Sequence, residues 1–534
     1  MTVSYWEGDI ESIDVTIPAC NLIKPGYELK GWRASSEDRN YFLPIVCTNH
    51  VPTIIEEHDS SYPWAIQEYV PTATYIFDDL YAVWVESGSD YYIEDNGNGT
   101  STILLYVGNE TDVTIPEVID DSTITAIGSM FLILSGADVR SIVVPDTIRE
   151  LGFLAFHQLD PSLETVTLGQ GLESIGNYCF YQCVNLISVS MPPVLEYLPD
   201  GMFYGCSSLA SVSLSSGMVT IGKGAFQGCT GLSSIELPGT VTSIIDHAFA
   251  GCSGLTMVTL SAELRTISSN AFLNCTGLTG LTVPAGVGII ENSAFNGCSN
   301  LVAIDLPDTL ELLPDYVFAD CFSLESIDFP SSLKVIGRKA FSGCSRITEI
   351  NLPSGLETFG GFDNCPNLEA VTIPEGVVAI SDEAFSACIG LKNVSLPNSL
   401  RTIGSSAFYQ CISLASVTLP EGVETIPPNA FGSCTSLSDI TFPETLVTIG
   451  HSAFSWCISL EVVEFPPSLV EIQDSAFASC VSLSTVSFFA ADCNFPDFAF
   501  ITEADPGLVI RAPSGGSVEA YCEVKNILFE GLAR

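Results

Sequence analysis

Ala225-Phe226-Gln227-Gly228-Cys229, Ala248-Phe249-Ala250-Gly251-Cys252, Ala271-Phe272-Leu273-Asn274-Cys275 and Ala294-Phe295-Asn296-Gly297-Cys298 recur at a step of 23 residues. Between these blocks lie segments such as Leu232-Ser233-Ser234-Ile235-Glu236-Leu237-Pro238 and Leu301-Val302-Ala303-Ile304-Asp305-Leu306-Pro307. A fixed period in the twenties is the mark of a stacked array, because one such unit cannot bury its apolar face without a neighbour. The phenylalanine column runs from Phe156 to Phe500 in sixteen positions, and thirteen of its fifteen steps are 23 residues. The first step is 24, and the step from Phe341 to Phe362 is 21.

The full unit reads Leu-x-x-Ile-x-Leu-Pro, then Leu/Val-x-x-Ile, then Ala-Phe-x-x-Cys. Its first, fourth and sixth positions point inward, and the proline ends the first strand because it cannot continue a ladder. The Leu/Val-x-x-Ile run predicts a second short strand, and the small Ala leaves room for the Phe beside it. At about 4.8 Å per strand, sixteen turns give an arc of roughly 75 Å.

These recurring Leu-Pro and Ala-Phe-x-Gly-Cys blocks resemble the BspA-type leucine-rich repeat, close to the treponemal type. The resemblance implies a mainly β repeat solenoid, a curved horseshoe with a parallel sheet. It also implies an extracellular or cell-surface protein engaged in adhesion. The first 86 residues lack the period. Their phrases Gly26-Tyr27-Glu28-Leu29-Lys30-Gly31-Trp32 and Asp79-Leu80-Tyr81-Ala82-Val83-Trp84 resemble the Listeria–Bacteroides (internalin B-repeat) module, which implies a small β-grasp-like fold. The chain then divides into that module (1–86), a β-hairpin cap (87–118), the array (119–500) and a C-terminal cap (501–534) with a short helix near 517–524.

Composition narrows the function. Asp and Glu total 63 against 17 Lys and Arg, a formal charge of −46. That excess opposes nucleic acid, whose binding rests on neutralising phosphates, and opposes anionic membranes. No apolar run is long enough to span a bilayer. Met1 to Ile10 lacks the basic and apolar regions of a signal peptide, so the chain reads as cytosolic or as a trimmed piece of an exported protein. A soluble monomer that binds a protein or glycan fits this balance.

Nineteen cysteines occur, and fourteen follow the phenylalanine column by three residues, from Cys183 to Cys480. Thiols stacked about 4.8 Å apart on parallel turns do not match the roughly 3.8 Å between Cβ atoms that a disulfide needs. The column therefore reads as free, buried filler. No metal site or cofactor is expected, since Cys-x-x-Cys is absent. The five histidines, His50, His58, His157, His247 and His451, are scattered and make no catalytic arrangement, so no enzyme is expected.

Surface remains. The third and fifth positions of Leu-x-x-Ile-x-Leu point to the expected concave face, where they are mostly Ser and Thr. The acids among them, Glu236, Asp305, Asp328, Glu349, Asp439 and Glu464, are candidate partner contacts, with Asp305, Asp328 and Glu349 grouped mid-array. A second candidate is the basic run Lys334, Arg338, Lys339 and Arg346, just before the shortened stretch Phe359-Gly360-Gly361-Phe362. Glu311 and Glu357, one turn to either side of Lys334, offer that lysine a charge ladder instead. Two other functions remain open: a structural spacer, and an accessory module of a larger exported protein.

Overall fold

The computed structural model describes side chains for residues 90–532, apart from 130, 132–137, 158–161, 497–498 and 501–506. The β-grasp-like module expected over 1–86 lies outside the described residues. Only strand courses are defined there, such as Tyr27–Ser36 running antiparallel to Asp79–Glu86. The chain forms two compact units, residues 1–192 and 193–534.

In the first unit, Tyr91–Asp95 and Thr100–Tyr106 make an antiparallel hairpin. Asn96-Gly97-Asn98-Gly99 turns it, with Gly97 at φ 77° and Gly99 at φ 82°, the left-handed region that glycine enters freely. Thr100–Tyr106 then pairs in parallel with Ser122–Ile133, which pairs with Glu150–Leu151 and on to Ser174–Ile175. A second parallel row joins Asp112–Thr114, Ser141–Val143 and Thr165–Thr167. The hairpin thus covers the first edge of one row.

The second unit repeats one plan. Three-residue strands such as Ser234–Glu236 and Met257–Thr259 pair in parallel, as do two-residue strands such as Ser243–Ile244 and Thr266–Ile267. The solenoid is therefore mainly β and parallel, as the period predicts. Each turn buries the same set: in one of them Leu232, Ile235, Leu237, Val241, Ile244, Ala248, Phe249 and Cys252 are all buried, while Ser234 and Glu236 stay exposed. Alternation in so short a strand leaves only one side to face the core.

The phenylalanines form a continuous stack, with centroids of Phe226, Phe249 and Phe272 successively 5.1 and 5.2 Å apart and planes within 7°. Around each ring the backbone joins turn to turn by three bonds. Gly224, Phe226 and Gly228 donate their N–H groups to Asp246, Ala248 and Ala250 of the next turn, at 2.9, 2.8 and 2.8 Å. This geometry places the residues two before and two after the phenylalanine in the left-handed region, whatever their identity. His247, Ala387 and Trp456 sit there at φ 58°, 58° and 64°. A non-glycine residue costs about 1–2 kcal/mol in that region. We therefore expect Ala387→Gly to stabilise the protein by about 0.5–1 kcal/mol, after allowing for the extra freedom of glycine in the unfolded chain. Urea unfolding of the two proteins measures it, and a loss of stability would contradict the strain.

The column cysteines are free and buried. They are more than filler. Each thiol donates to the carbonyl of the phenylalanine one turn earlier, as Cys229 to Phe203 at 3.1 Å, Cys252 to Phe226 at 3.0 Å and Cys275 to Phe249 at 3.1 Å. That carbonyl already accepts the amide of its own turn's cysteine, Cys229 N–H to Phe226 at 3.0 Å, so the thiol uses its second lone pair.

After the last turns, Thr485–Phe488 pairs in parallel with Val509–Pro513, and this with Leu528–Leu532. The helix Ser517–Lys525 lies between them and buries Val518 and Cys522. Its Tyr521 meets the Phe495 ring edge-on at 4.5 Å.

Candidate interaction surfaces

The first-strand row presents the candidate acids. Glu236, Asp305, Asp328, Glu349, Asp439 and Glu464 are all exposed. Glu236, Asp305, Asp439 and Glu464 lie within strands, and Glu349 forms a lone bridge with Ala370. Asp328 lies outside the strands, so the row loosens after Asp305, at Asp328 and Glu349. Asp305 accepts a hydrogen bond from the Thr282 hydroxyl of the preceding turn at 2.9 Å. The neighbouring Ser and Thr positions share this register, which holds the acids on a regular polar surface.

All four cations of the second candidate are paired with carboxylates. Lys334 binds Glu311 at 2.9 Å and Arg346 binds Glu325 at 3.0 Å, each across one turn. The hydrogen bond to Glu311 raises the Lys334 pKa, and Glu311 and Glu357 add to it through their charge. The charge ladder offered by Glu311 is therefore formed. Arg338 and Lys339 behave differently. Both reach Glu383, at 3.7 and 2.8 Å, and Lys339 also approaches Asp363 at 3.9 Å. Glu383 belongs to the second turn along, so these pairs vault the shortened turn. Lys339 in turn holds the Glu383 carboxyl below its ordinary range.

The shortened turn explains the vault. Phe359 takes the place of the usual isoleucine and stacks on Phe385 at 5.1 Å, while Phe341 and Phe362 close to 4.7 Å. Gly361 stands where most other turns carry Ala. It lies at φ 90°, and a Cβ there would come within 2.5 Å of Ala340 N and 2.6 Å of Gly337 O. Asp363 follows, nearly buried, bound to the Ser342 hydroxyl at 2.8 Å. Burial pushes its pKa up, which Ser342 and Lys339 only partly offset.

Among the described residues no group of three or more His, Cys, Asp or Glu could hold a metal ion, and no helix is long and apolar enough to cross a membrane. His50 and His58 lie outside the described residues. The sequence pointed to the one-turn pair of Lys334 with Glu311; it did not point to Arg346 with Glu325 or to the two-turn pairs, for which the 21-residue step was the available signal.

With this unit defined, its kinship can be read. A family model described as a BspA type leucine rich repeat region, present in six copies, matches residues 125–256, 265–388 and 360–484, more than half of the chain. The chain belongs to the BspA-type leucine-rich repeat family. No curated protein matches it. Among solved structures, the BspA-type chain is similar to a leucine-rich repeat protein from Bacteroides ovatus at 24% identity, over 83% of this chain and 99% of that one, with a TM-score of 0.49. It is also similar to a leucine rich cell surface protein from Faecalibacterium prausnitzii at 24% identity, over 83% and 97%, with a TM-score of 0.34. The pneumococcal vaccine antigen PcpA aligns at 16% identity over 83% and 97%, with a TM-score of 0.34.

Proposed function

We propose that this BspA-type protein is a non-catalytic recognition or adhesion protein, secreted or displayed at a cell surface, that binds a protein or glycan through the exposed side of its first-strand row. A rigid, repeated face loses little ordering entropy on binding, which favours recognition by surface complementarity. The observation that carries the reading is the uncompensated negative charge of the second unit, together with the six exposed acids on that row. Residues 193–534 contain 35 Asp and Glu against 11 Lys and Arg. Lys334, Arg338, Lys339, Arg346, Lys392, Arg265 and Arg511 are already paired with carboxylates. The row offers outward carboxylates and hydroxyls, with a few apolar side chains such as Met257 and Val462 among them, and its charge suits a basic partner.

The test uses deca-lysine as a basic probe and a triple variant, Asp305→Asn, Asp328→Asn and Glu349→Gln. Association of the probe with the parent protein should weaken with added salt, and the variant should bind about 5- to 10-fold more weakly at low salt. Equal binding by both proteins would remove the mid-array acids from the site and favour the structural-spacer reading.

A further inference from the structure

The residue that follows each column cysteine changes character along the array. From Ser207 to Pro366 it is Ser or Thr in six of eight turns, Phe322 and Pro366 excepted. In the next five turns it reads Ile389, Ile412, Thr435, Ile458 and Val481. Trp456 stands beside this row, two residues before Ile458. The four aliphatic side chains and the Trp456 ring are each between 37% and 58% exposed. Single exposed apolar residues are ordinary, but these lie on neighbouring turns about 4.8 Å apart and form one strip.

The strip is firmly held and uncharged. Ala387, Gln410, Ser433 and Trp456 donate their N–H groups to Tyr409, Gly432, Ser455 and Ala478 of the next turn, at 2.7, 2.8, 2.6 and 2.8 Å. Hydroxyls lace the row itself: Ser413 donates to the Ile389 carbonyl at 2.6 Å, Thr435 to Ile412 at 3.3 Å and Ser459 to Thr435 at 2.7 Å. Residues 386–391, 409–416, 432–438, 455–460 and 478–485 contain no Asp, Glu, Lys, Arg or His. In earlier turns the same segment carries Asp320, Arg346 and Asp363. For a chain of charge −46, this strip is where a second copy meets the least repulsion.

We propose that the strip is a self-association surface, through which two copies of the chain meet about a two-fold axis at Thr435. Its area is of the right size. Five large apolar side chains, each about half exposed, leave roughly 500 Å² open. A homodimer contact of about 800 Å² per partner, about 65% apolar, uses that much. The row is also symmetric about its centre. An axis lying in the contact plane and crossing the row at Thr435 runs the two rows antiparallel. Ile389 then meets Val481 of the second copy and Ile412 meets its Ile458, the reciprocal pairing that an isologous contact requires. The same operation sets each Trp456 against the second copy's Gln410, whose amide oxygen accepts from the indole N–H. It also sends the acidic turns at 193–366 of the two copies to opposite ends, whereas a parallel contact would lay them against each other. The monomer expected from composition is then the dilute, low-salt state. This surface is separate from the acidic strand row and stands or falls independently of it.

Sedimentation velocity tests it. The parent protein should show a reversible monomer–dimer equilibrium up to about 200 μM, about 5-fold tighter in 0.5 M than in 0.05 M salt because screening relieves the repulsion. Ile412→Lys and Ile458→Glu should each weaken dimerisation at least ~10-fold. Combined in one chain they place a lysine opposite a glutamate twice in the contact, and dimerisation should recover at least ~5-fold over either single variant. A parent protein that stays monomeric at high salt would overturn the proposal and leave the strip to a different partner. Single variants that dimerise like the parent would overturn it by placing the contact elsewhere, and a double variant no tighter than the singles would overturn the antiparallel pairing on which it rests. If circular dichroism shows that a substitution at 412 or 458 disturbs folding, the end pair Ile389→Glu and Val481→Lys makes the same comparison.

Discussion

Raising the pH from 9 to 11 should unfold the array, and the thiol column should be the reason. Burial raises the pKa of eleven column thiols in the second unit, from Cys229 to Cys480. Cys252, Cys298, Cys434 and Cys480 rise to about 12 from an ordinary 9.0. A thiol with a raised folded pKa keeps its proton in the native state while the unfolded chain releases it. Its contribution is therefore complete below about pH 9 and is lost as pH rises towards 12. Each thiol withdraws on the order of 1 kcal/mol per pH unit across that window. Eleven acting together exceed the 5–15 kcal/mol of a typical domain within one to two units. Circular dichroism against pH should show a steep loss of β signal. Cys252→Ala with Cys275→Ala should make the transition shallower, at some cost in packing. Stability that stays level between pH 8.5 and 10.5 would refute the account. Below that range the column thiols should ignore disulfide reagents until the chain is unfolded, because the thiolate is the nucleophile.

Removing one ring from the stack should cost less in total, but more than any other single substitution in the array. Phe272 is fully buried, between Phe249 at 5.2 Å and Phe295 at 5.5 Å. Phe272→Ala should destabilise by about 3–5 kcal/mol, the usual cost of emptying a large aromatic site. In a stacked array each turn is supported only by its neighbours, so the gap also weakens the coupling between its two sides. Guanidinium unfolding, which should be a single transition in the parent, should become broad or split. Phe322 is a matched control, since it is 47% exposed at a turn of the same array. Phe322→Ala should change stability by less than about 0.5 kcal/mol. Equal losses from the two substitutions would mean that the column does not bear the core.

What the sequence disclosed and what it withheld divide along physical lines. Burial repeats with the chain, so Leu232, Ile235, Phe249 and their equivalents could be placed inside from spacing alone. Backbone handedness does not follow composition in the same way. Trp456 and Ala387 occupy left-handed positions against their own preference because three inter-turn hydrogen bonds require it, and only the assembled array supplies those bonds. The thiols showed a similar limit: an apolar filler and a hydrogen-bond donor occupy the same column in a sequence, and the carbonyl one turn away distinguishes them. For charges, neighbour-by-neighbour reasoning reached Lys334 and Glu311. It stopped short of Lys339 and Glu383 because their meeting depends on two residues that are not there. The candidate acids were placed on an exposed row, and their role rests on the binding experiment.

A backbone built of equal steps has no landmarks: a contact made to its main chain alone could shift by one period and be made again. The single turn of 21 residues ends that ambiguity. It works like the index mark on a ruled scale, a fixed origin from which every other position along the array is counted.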